Sequence, residues 1–298
     1  MGARVRAALC LVVLLAGCNG GGTGDRAVTT TPTVTPAPIP TSPPTETVTP
    51  GEPTGPELAP GVTVRGVEDP FALAGAHRQA LSERSFRLVR TLTVTGADGT
   101  LLRRTTRRAT VAAGASRYLV VDTAVDTGAY PVRAVAPRIE VWWAGGPALF
   151  RLSGDGEPRY RRAADVPPTG PAGDLTLRDR IAGLLSAADT AVVGREPGET
   201  VGVVLVAEAV RNDAVLRVPV LLERPRNVSM SLTVGVDGVV REYRIAYDAT
   251  FEGERVRVVR RVRLAFVEGP VEPPAWRDRA LNASGVAGPG PGPDTPGS

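Results

Sequence analysis

The chain lacks lysine, and among its 298 residues it has one histidine, two cysteines and only 4% aromatic residues. All 35 basic residues are therefore arginine. So few histidines and cysteines exclude cysteine-rich metal modules, disulfide scaffolds and histidine-ligated metal centres. The glycine-rich stretch at residues 20–24 follows no strand pattern, and no serine lies in a nucleophile-elbow motif. We expect a protein that is not an enzyme and needs no metal or cofactor.

The N-terminus has the pattern of an export signal. Arg4 and Arg6 precede an apolar run over residues 7–16, which is too short to span a bilayer but suits the hydrophobic region of a signal peptide. Leu15-Ala16-Gly17-Cys18 resembles the lipobox of exported lipoproteins. That resemblance implies cleavage before Cys18, a lipid on its thiol, and a membrane-anchored protein on the extracytoplasmic side. The alternative is an ordinary cleaved signal peptide.

Removal of residues 1–17 would change the chemistry of the chain. Cys10 leaves with the signal peptide, so the mature chain has no cysteine besides Cys18. Arg4 and Arg6 leave as well, which lowers the formal net charge from +4 to +2. A nearly neutral surface of interspersed arginine and acidic residues does not indicate a nucleic-acid-binding protein.

Composition divides the chain into four parts: a signal peptide over residues 1–17, the lipidated cysteine and a stalk over 18–56, a folded domain over 57–281, and a tail over 282–298. Residues 19–56 contain eleven Thr and nine Pro, so this segment cannot bury enough apolar surface to fold and is predicted to be a disordered spacer. The tail is rich in Gly and Pro. Asn227 and Asn282 begin N-glycosylation acceptor patterns.

The folded domain is predicted to be α+β. Asp69 followed by Pro70 predicts the start of a helix that ends near Ser85, and Asp174 is expected to cap a second helix. The second helix carries an apolar stripe made by Leu177, Ile181, Leu184, Leu185 and Ala188. Period-two alternation and turn signals predict strands over residues 86–94, 101–112, 117–126, 139–144, 148–153, 159–162, 190–195, 201–210, 214–223, 228–236, 239–251 and 255–267.

So many half-apolar strands present more apolar surface than two short helices cover unless the sheet curls. We therefore expect a curved antiparallel half-barrel with two covering helices. This order of helices and strands resembles the LolA-like fold of lipoprotein carriers and of mycobacterial lipid-binding lipoproteins. The resemblance implies a cavity for acyl chains between the sheet and the helices.

A second resemblance, to uncharacterised lipoproteins of haloarchaea, is carried by sequence segments. These are the lipobox, the Thr/Pro/Gly stalk, a segment like residues 69–78 that begins Asp69-Pro70-Phe71, a strand like residues 90–94, and a patch like Glu140-Val141-Trp142-Trp143. The absence of lysine fits a GC-rich genome. This resemblance implies no known activity.

A few residues are candidates for a site. Trp142 and Trp143 are adjacent on a strand and should face opposite sides of the sheet, so one of them is a possible ligand-cavity residue. His77 and Trp276 are expected to pack in the fold. Eight arginines are candidates for a single basic face toward anionic lipid headgroups or acidic glycans: Arg103, Arg104, Arg107, Arg108, Arg257, Arg260, Arg261 and Arg263.

The sequence leaves three functional hypotheses. The first is a lipid-anchored surface protein whose half-barrel binds a lipid or other hydrophobic ligand, and the second is an envelope interaction or structural module with a filled core. The third is a carboxylate-based glycan hydrolase, which needs two facing acids roughly 5–9 Å apart. The volume between sheet and helices distinguishes the first two.

Overall fold

The computed structural model describes residues 55–127, 136–196, 202–216 and 222–283. No helix within them is both long and apolar enough to span a bilayer. Their strands and α-helices are, in chain order, β1 (Glu57–Ala59), β2 (Val62–Thr63), β3 (Gly66–Val67), α1 (Pro70–Glu83), β4 (Phe86–Gly96), β5 (Leu101–Val111), β6 (Tyr118–Asp126), β7 (Arg138–Trp143), β8 (Ala148–Ser153), β9 (Arg159–Ala163), α2 (Arg178–Ser186), β10 (Ala191–Glu196), β11 (Gly202–Ala207), β12 (Glu223–Gly235), β13 (Val240–Phe251), β14 (Glu254–Phe266) and α3 (Arg277–Leu281).

Eleven strands within the described residues form one antiparallel sheet, in the order β10-β11-β12-β13-β14-β4-β5-β6-β7-β8-β9. Consecutive strands are neighbours except at the centre, where β14 pairs with β4 from Phe266 opposite Phe86 to Val256 opposite Gly96. The chain passes from one edge strand, β9, through α2 to the other edge strand, β10. The structure thus confirms the predicted α+β class with a large, open, curved antiparallel sheet.

Helix α1 begins where the sequence predicts. The Asp69 carboxylate accepts hydrogen bonds from the backbone N–H groups of Phe71 and Ala72, both at 2.9 Å, and Pro70 occupies the first helical position. These contacts satisfy two of the N–H groups that have no partner within the helix. The buried side chains Leu73, His77 and Leu81 then lie on the face toward the sheet.

Helix α2 begins later than predicted, and Asp174 does not cap it. The Asp174 carboxylate instead accepts from Thr176 N at 2.8 Å and from Thr176 Oγ1 at 2.6 Å, in a turn before the helix. Leu177 follows with a left-handed φ of 60°, and the helix begins at Arg178. This backbone conformation buries Leu177 while it redirects the chain, so the predicted apolar stripe still packs on the sheet.

The predicted strand over residues 214–223 is wrong at its described beginning, and its residues 217–221 lie outside the described residues. Asp213–Leu216 form a 3₁₀ turn, and the next described strand begins at Glu223. The Leu216 carbonyl accepts a hydrogen bond from the Tyr247 hydroxyl at 2.9 Å, which ties this turn to the sheet. Leu216 is buried in the main core and packs against the sheet instead of pairing within it. The sequence also gave no indication of β1–β3 or α3.

Apolar side chains are buried on both faces of the sheet. The main core lies between the sheet and helices α1 and α2. A smaller cluster on the opposite face lies under the C-terminal segment and contains Trp142, Leu149, Val271, Trp276 and Ala280. The sheet face that carries α1 and α2 is called the helix face below, and the opposite one the outer face.

Candidate functional site

An open pocket of about 240 Å³ lies on the helix face of strands β4, β5 and β6. We call it the arginine pocket. Its lining residues are Arg90, Arg103, Thr105, Thr106, Arg107, Asp122, Thr123, Ala124, Ala136 and Ile139. Three arginines and one aspartate in this set give it a formal charge of +2. A positively charged pocket lined by arginine and threonine side chains suits an anionic ligand better than an acyl chain.

Strand alternation brings these arginines to the interior. Leu88 and Leu92 point to the helix face and are buried, so Arg90 between them has the same orientation. Arg90 lies directly opposite Arg107 of β5 in the register. Like charges opposite each other on one face of a sheet are destabilising. Packing of the core does not account for this arrangement, which makes it a candidate for function.

Only one of the two facing arginines has an acidic partner. Arg107 donates from Nε and Nη2 to the two Asp122 carboxylate oxygens, at 2.8 and 2.7 Å, and this bond raises the pKa of Arg107. Burial lowers the pKa of Arg90, and the positive charges of Arg107 and of Arg180 in α2 lower it further. Asp122 is already engaged with Arg107, so Arg90 retains hydrogen-bond donors toward the pocket.

Two further cationic side chains approach the same region of the helix face. Arg260 of β14 is diagonal to Arg90 in the register and is only 3% exposed, yet its Nη2 has no hydrogen-bond partner. Arg180 likewise has buried Nε and Nη2 atoms without a partner. Buried charged donors without partners are costly and rare in folded proteins. They indicate that this region has more positive charge and more donors than the fold itself uses.

The space between α2 and the sheet, by contrast, is filled. The pocket found there has a volume of about 10 Å³. Its lining residues are Ile181, Leu184, Leu185, Met230, Leu232, Val240 and Tyr243. This volume is no more than a single water molecule requires and cannot hold an acyl chain. Among the described residues, this small volume favours the filled-core hypothesis over the lipid-cavity hypothesis.

His77 is a packing residue of α1, 1% exposed. Its Nδ1 accepts a hydrogen bond from Val240 N at 3.1 Å, and its Nε2 lies 2.9 Å from the Thr176 carbonyl. An accepting Nδ1 and a donating Nε2 define one neutral tautomer. Burial lowers the pKa to about 4 despite the opposing effects of Thr176, Asp174 and Asp237. Both ring nitrogens are occupied, so the ring connects α1, the start of α2 and β13.

Trp142 and Trp143 lie on opposite faces of β7, and both are buried, with 5% and 6% exposure. Trp143 stacks on Tyr118 on the helix face, with ring centroids 5.4 Å apart. Trp142 packs in the outer cluster, so the expectation that one of the pair faces solvent, a cavity or a partner is not met in this structure. A ligand contact at either ring would require neighbouring side chains to move, and it stays a prediction.

Trp276 packs as expected and also binds a buried acid. Its Nε1 donates to Glu140 Oε2 at 2.8 Å, and Arg138 Nε donates to Glu140 Oε1 at the same distance. Burial alone would raise the pKa of Glu140, but the hydrogen bonds from Arg138 and Trp276 and the charges of Arg138 and Arg151 hold it below its ordinary value. Glu140 is therefore a structural carboxylate that anchors the C-terminal segment to β7.

The eight arginines proposed for one basic face divide between two faces. Strand parity places Arg103, Arg107 and Arg260 on the helix face, while the others point outward. The outward set is Arg104, Arg108, Arg257, Arg261 and Arg263. The prediction of a single basic face is therefore wrong, because it grouped neighbours in sequence without regard to the two-residue period.

The outer face has its own open groove, about 620 Å³ in volume, where Arg87, Arg261 and Arg263 lie with Glu242. Glu242 accepts from Arg261 Nε at 2.6 Å and from Arg263 Nε at 3.0 Å. Arg261 and Arg263 therefore already have an acidic partner. Exposed pairs of this kind contribute little to stability, about 0–1 kcal/mol each, and need no functional explanation.

The remaining predicted positions lie at the surface or beyond the described residues. Asn227 is exposed, and its Nδ2 donates to Asp248 at 2.7 Å, while Asn282 follows α3. Cys18 and residues 19–54 are outside the described residues, as are residues 284–298. In the part of the chain that the structure describes, no group of three or more His, Cys, Asp or Glu side chains is arranged to hold a metal ion.

Comparisons with known proteins find only distant structural similarity. No protein-family model and no curated protein matches the chain. A DUF1329 family protein from Desulfovibrio piger aligns with a TM-score of 0.25 at 9% identity, covering 68% of this chain and 93% of that chain. MucB in the Pseudomonas aeruginosa MucA/MucB complex aligns with a TM-score of 0.28 at 16% identity, covering 67% of this chain and 59% of that chain. This chain therefore spans little more than half of MucB, and scores this low do not establish a common fold or family.

Proposed function

We propose that the protein is an exported, lipid-anchored envelope protein whose folded domain is a non-catalytic interaction module with a filled core. Three features of the sequence support anchoring: the basic N-terminus, the short apolar run and the lipobox-like segment that ends at Cys18. The Thr/Pro-rich stalk over residues 19–56 would then hold the domain away from the membrane surface.

The observation that carries the filled-core function is the volume of about 10 Å³ between α2 and the sheet. A carrier of acyl chains needs an apolar cavity there, since ligand pockets are generally several hundred Å³ in volume. The non-catalytic assignment is supported by the side chains that could move protons. His77 has both ring nitrogens engaged, and Glu140 is held by Arg138 and Trp276.

The test of anchoring compares two cysteine variants of the full chain. We expect metabolically labelled lipid to attach to the wild-type protein and to Cys10→Ser, but not to Cys18→Ser, because only Cys18 follows the cleavage site. In detergent phase partitioning, the wild-type protein and Cys10→Ser should enter the detergent phase, and Cys18→Ser should stay in the aqueous phase. Label on Cys18→Ser, or an unlabelled wild-type protein with its leader intact, would contradict the proposal.

The test of the filled core is native mass spectrometry of the purified full chain. We expect no co-purifying neutral lipid or other apolar species beyond the covalent lipid. A stoichiometric, noncovalently bound apolar ligand without a phosphate group would restore the hydrophobic-ligand hypothesis in place of this one.

A further inference from the structure

The geometry points to the arginine pocket as a binding site for a phosphate group, supplied either by free phosphate or by a lipid headgroup. The pocket was defined above by Arg90, Arg103, Thr105, Arg107 and Asp122 among its lining residues. This inference goes beyond the proposed function and does not depend on lipid attachment at Cys18.

The arginine pocket and its surroundings carry more positive than negative charge. Arg90 faces Arg107 across the β4–β5 pair, and Asp122 engages both Nε and Nη2 of Arg107. Asp126, 3.5 Å from Arg103 Nε, offsets part of the remaining excess. Two more guanidinium groups with buried, unpartnered nitrogens lie beside the pocket without lining it: Arg260 is diagonal to Arg90 in the register, and the charge of Arg180 lowers the pKa of Arg90. Five arginines against two aspartates leave three formal positive charges, and an anion with two negative charges would neutralise most of this excess.

The side chains that line the pocket present hydrogen-bond donors in an arrangement that suits a phosphate group. Guanidinium groups present planar arrays of N–H donors that match phosphate oxygens in pairs. Arg90 and Arg107 line the pocket from the adjacent strands β4 and β5. Thr105 lies between Arg103 and Arg107 on the same face of β5 and also lines the pocket. Because these side chains stand on paired strands near the centre of the sheet, they are held in place before a ligand arrives.

The arginine pocket differs from the outer groove in how its arginines are paired. The groove is larger, but its Glu242 already binds both Arg261 and Arg263. In the arginine pocket the acid binds one arginine and leaves Arg90 without an acidic hydrogen-bond partner among the described residues. Arg87 in the groove also lacks an acidic partner among the described residues, but it is exposed to water, whereas Arg90 is half-buried. The half-buried, unused donors of Arg90 therefore identify the binding site.

Thermal unfolding of the full chain in a non-ionic detergent tests the inference. Inorganic phosphate, added against sodium chloride at matched ionic strength, should raise the midpoint of the wild-type protein. Arg90→Gln should require at least about tenfold more phosphate for the same shift, since a hydrogen bond to a charged group contributes about 1.5–3 kcal/mol. Arg87→Gln is the matched control, because Arg87 is exposed on the outer face of the same strand and lines the groove.

One further measurement tests whether the variant folds, and another identifies the source of the phosphate group. Without phosphate, Arg90→Gln should unfold at or above the wild-type temperature because the variant removes a like-charge contact; if this variant fails to fold, Thr105→Val takes its place. Dihexanoyl phosphatidic acid, with dihexanoyl phosphatidylcholine as its control, tests whether a lipid headgroup supplies the phosphate group. A shift with inorganic phosphate supports a free-phosphate site, and a shift only with phosphatidic acid supports a headgroup site. No shift with either, or equal shifts in wild type and Arg90→Gln, would overturn the inference.

Discussion

At the residue scale, a single imidazole ring connects three segments of the chain. His77 accepts from the backbone of β13 and donates to the carbonyl of Thr176, and it is the only histidine in the protein. A protonated ring could no longer accept at Nδ1, and it would place a charge in the core. The stability of the domain should therefore depend on the neutral form of this one side chain.

The pH dependence follows from the shift in pKa from 6.5 to about 4. Between these values the unfolded chain binds a proton that the folded protein does not, so the free energy of unfolding falls as pH falls. The loss should amount to about 3 kcal/mol between pH 6.5 and pH 4, and the contribution is fully present above pH 6.5. Urea unfolding at several pH values measures it. His77→Gln cannot titrate, so a slope that persists unchanged in that variant would contradict the assignment.

The period of two predicts where most side chains point, and it also contains the signal for the arginine pocket. Along β4, Leu88 and Leu92 mark the inward positions, and Arg90 falls between them. Along β14, Arg260 occurs in the same way between Val258 and Val262. An arginine at an apolar position is visible in the sequence. Its neighbours across the sheet are not visible, because strand pairing over long separations is decided by the whole fold.

At the element scale, side-chain contacts attach the short helix of the C-terminal segment to the outer face of the sheet. Helix α3 has five residues, too few to be stable in isolation. Trp276 before it and Val271 further upstream fill the outer cluster, and the indole reaches Glu140 of β7. The sequence predicted that Trp276 packs in the fold, but it could not predict the acid that it meets across more than a hundred residues of chain.

Replacement of Trp276 by Phe tests this anchor. The variant keeps an aromatic ring but removes the donor to Glu140, a residue with only 5% exposure. We expect a loss of about 1–3 kcal/mol in the free energy of unfolding, because a buried carboxylate loses one of its partners. Trp143→Phe is the control, since Trp143 Nε1 is buried without a partner. An equal or smaller loss at Trp276 than at Trp143 would show that the hydrogen bond contributes nothing.

At the scale of the whole molecule, the central pairing of β14 with β4 joins two halves of the sheet that are each built from consecutive strands. The sequence predicts most of the individual strands and the curvature that their number requires. It does not predict this pairing, since no local signal specifies which strands close the centre.

Truncation should show that the two halves of the sheet do not fold independently when β14 is removed. Deletion of residues 254–298 removes β14 and leaves the facing edges of β13 and β4 unpaired. We expect this variant to lose cooperative urea unfolding, whereas deletion of residues 284–298 alone should leave the unfolding midpoint unchanged. Two separate cooperative transitions in the shorter variant would instead show that the halves are independent domains.

The pairing of β14 with β4 also sets the order of events during synthesis. Residues 86–96 leave the ribosome long before residues 254–266. Strand β4 is therefore synthesised well before its partner β14, which is made near the end of translation. The sheet cannot close before the polypeptide is almost complete. Until β14 has been made, the nascent chain therefore exposes an edge of β4 whose hydrogen-bond donors and acceptors have no partner strand.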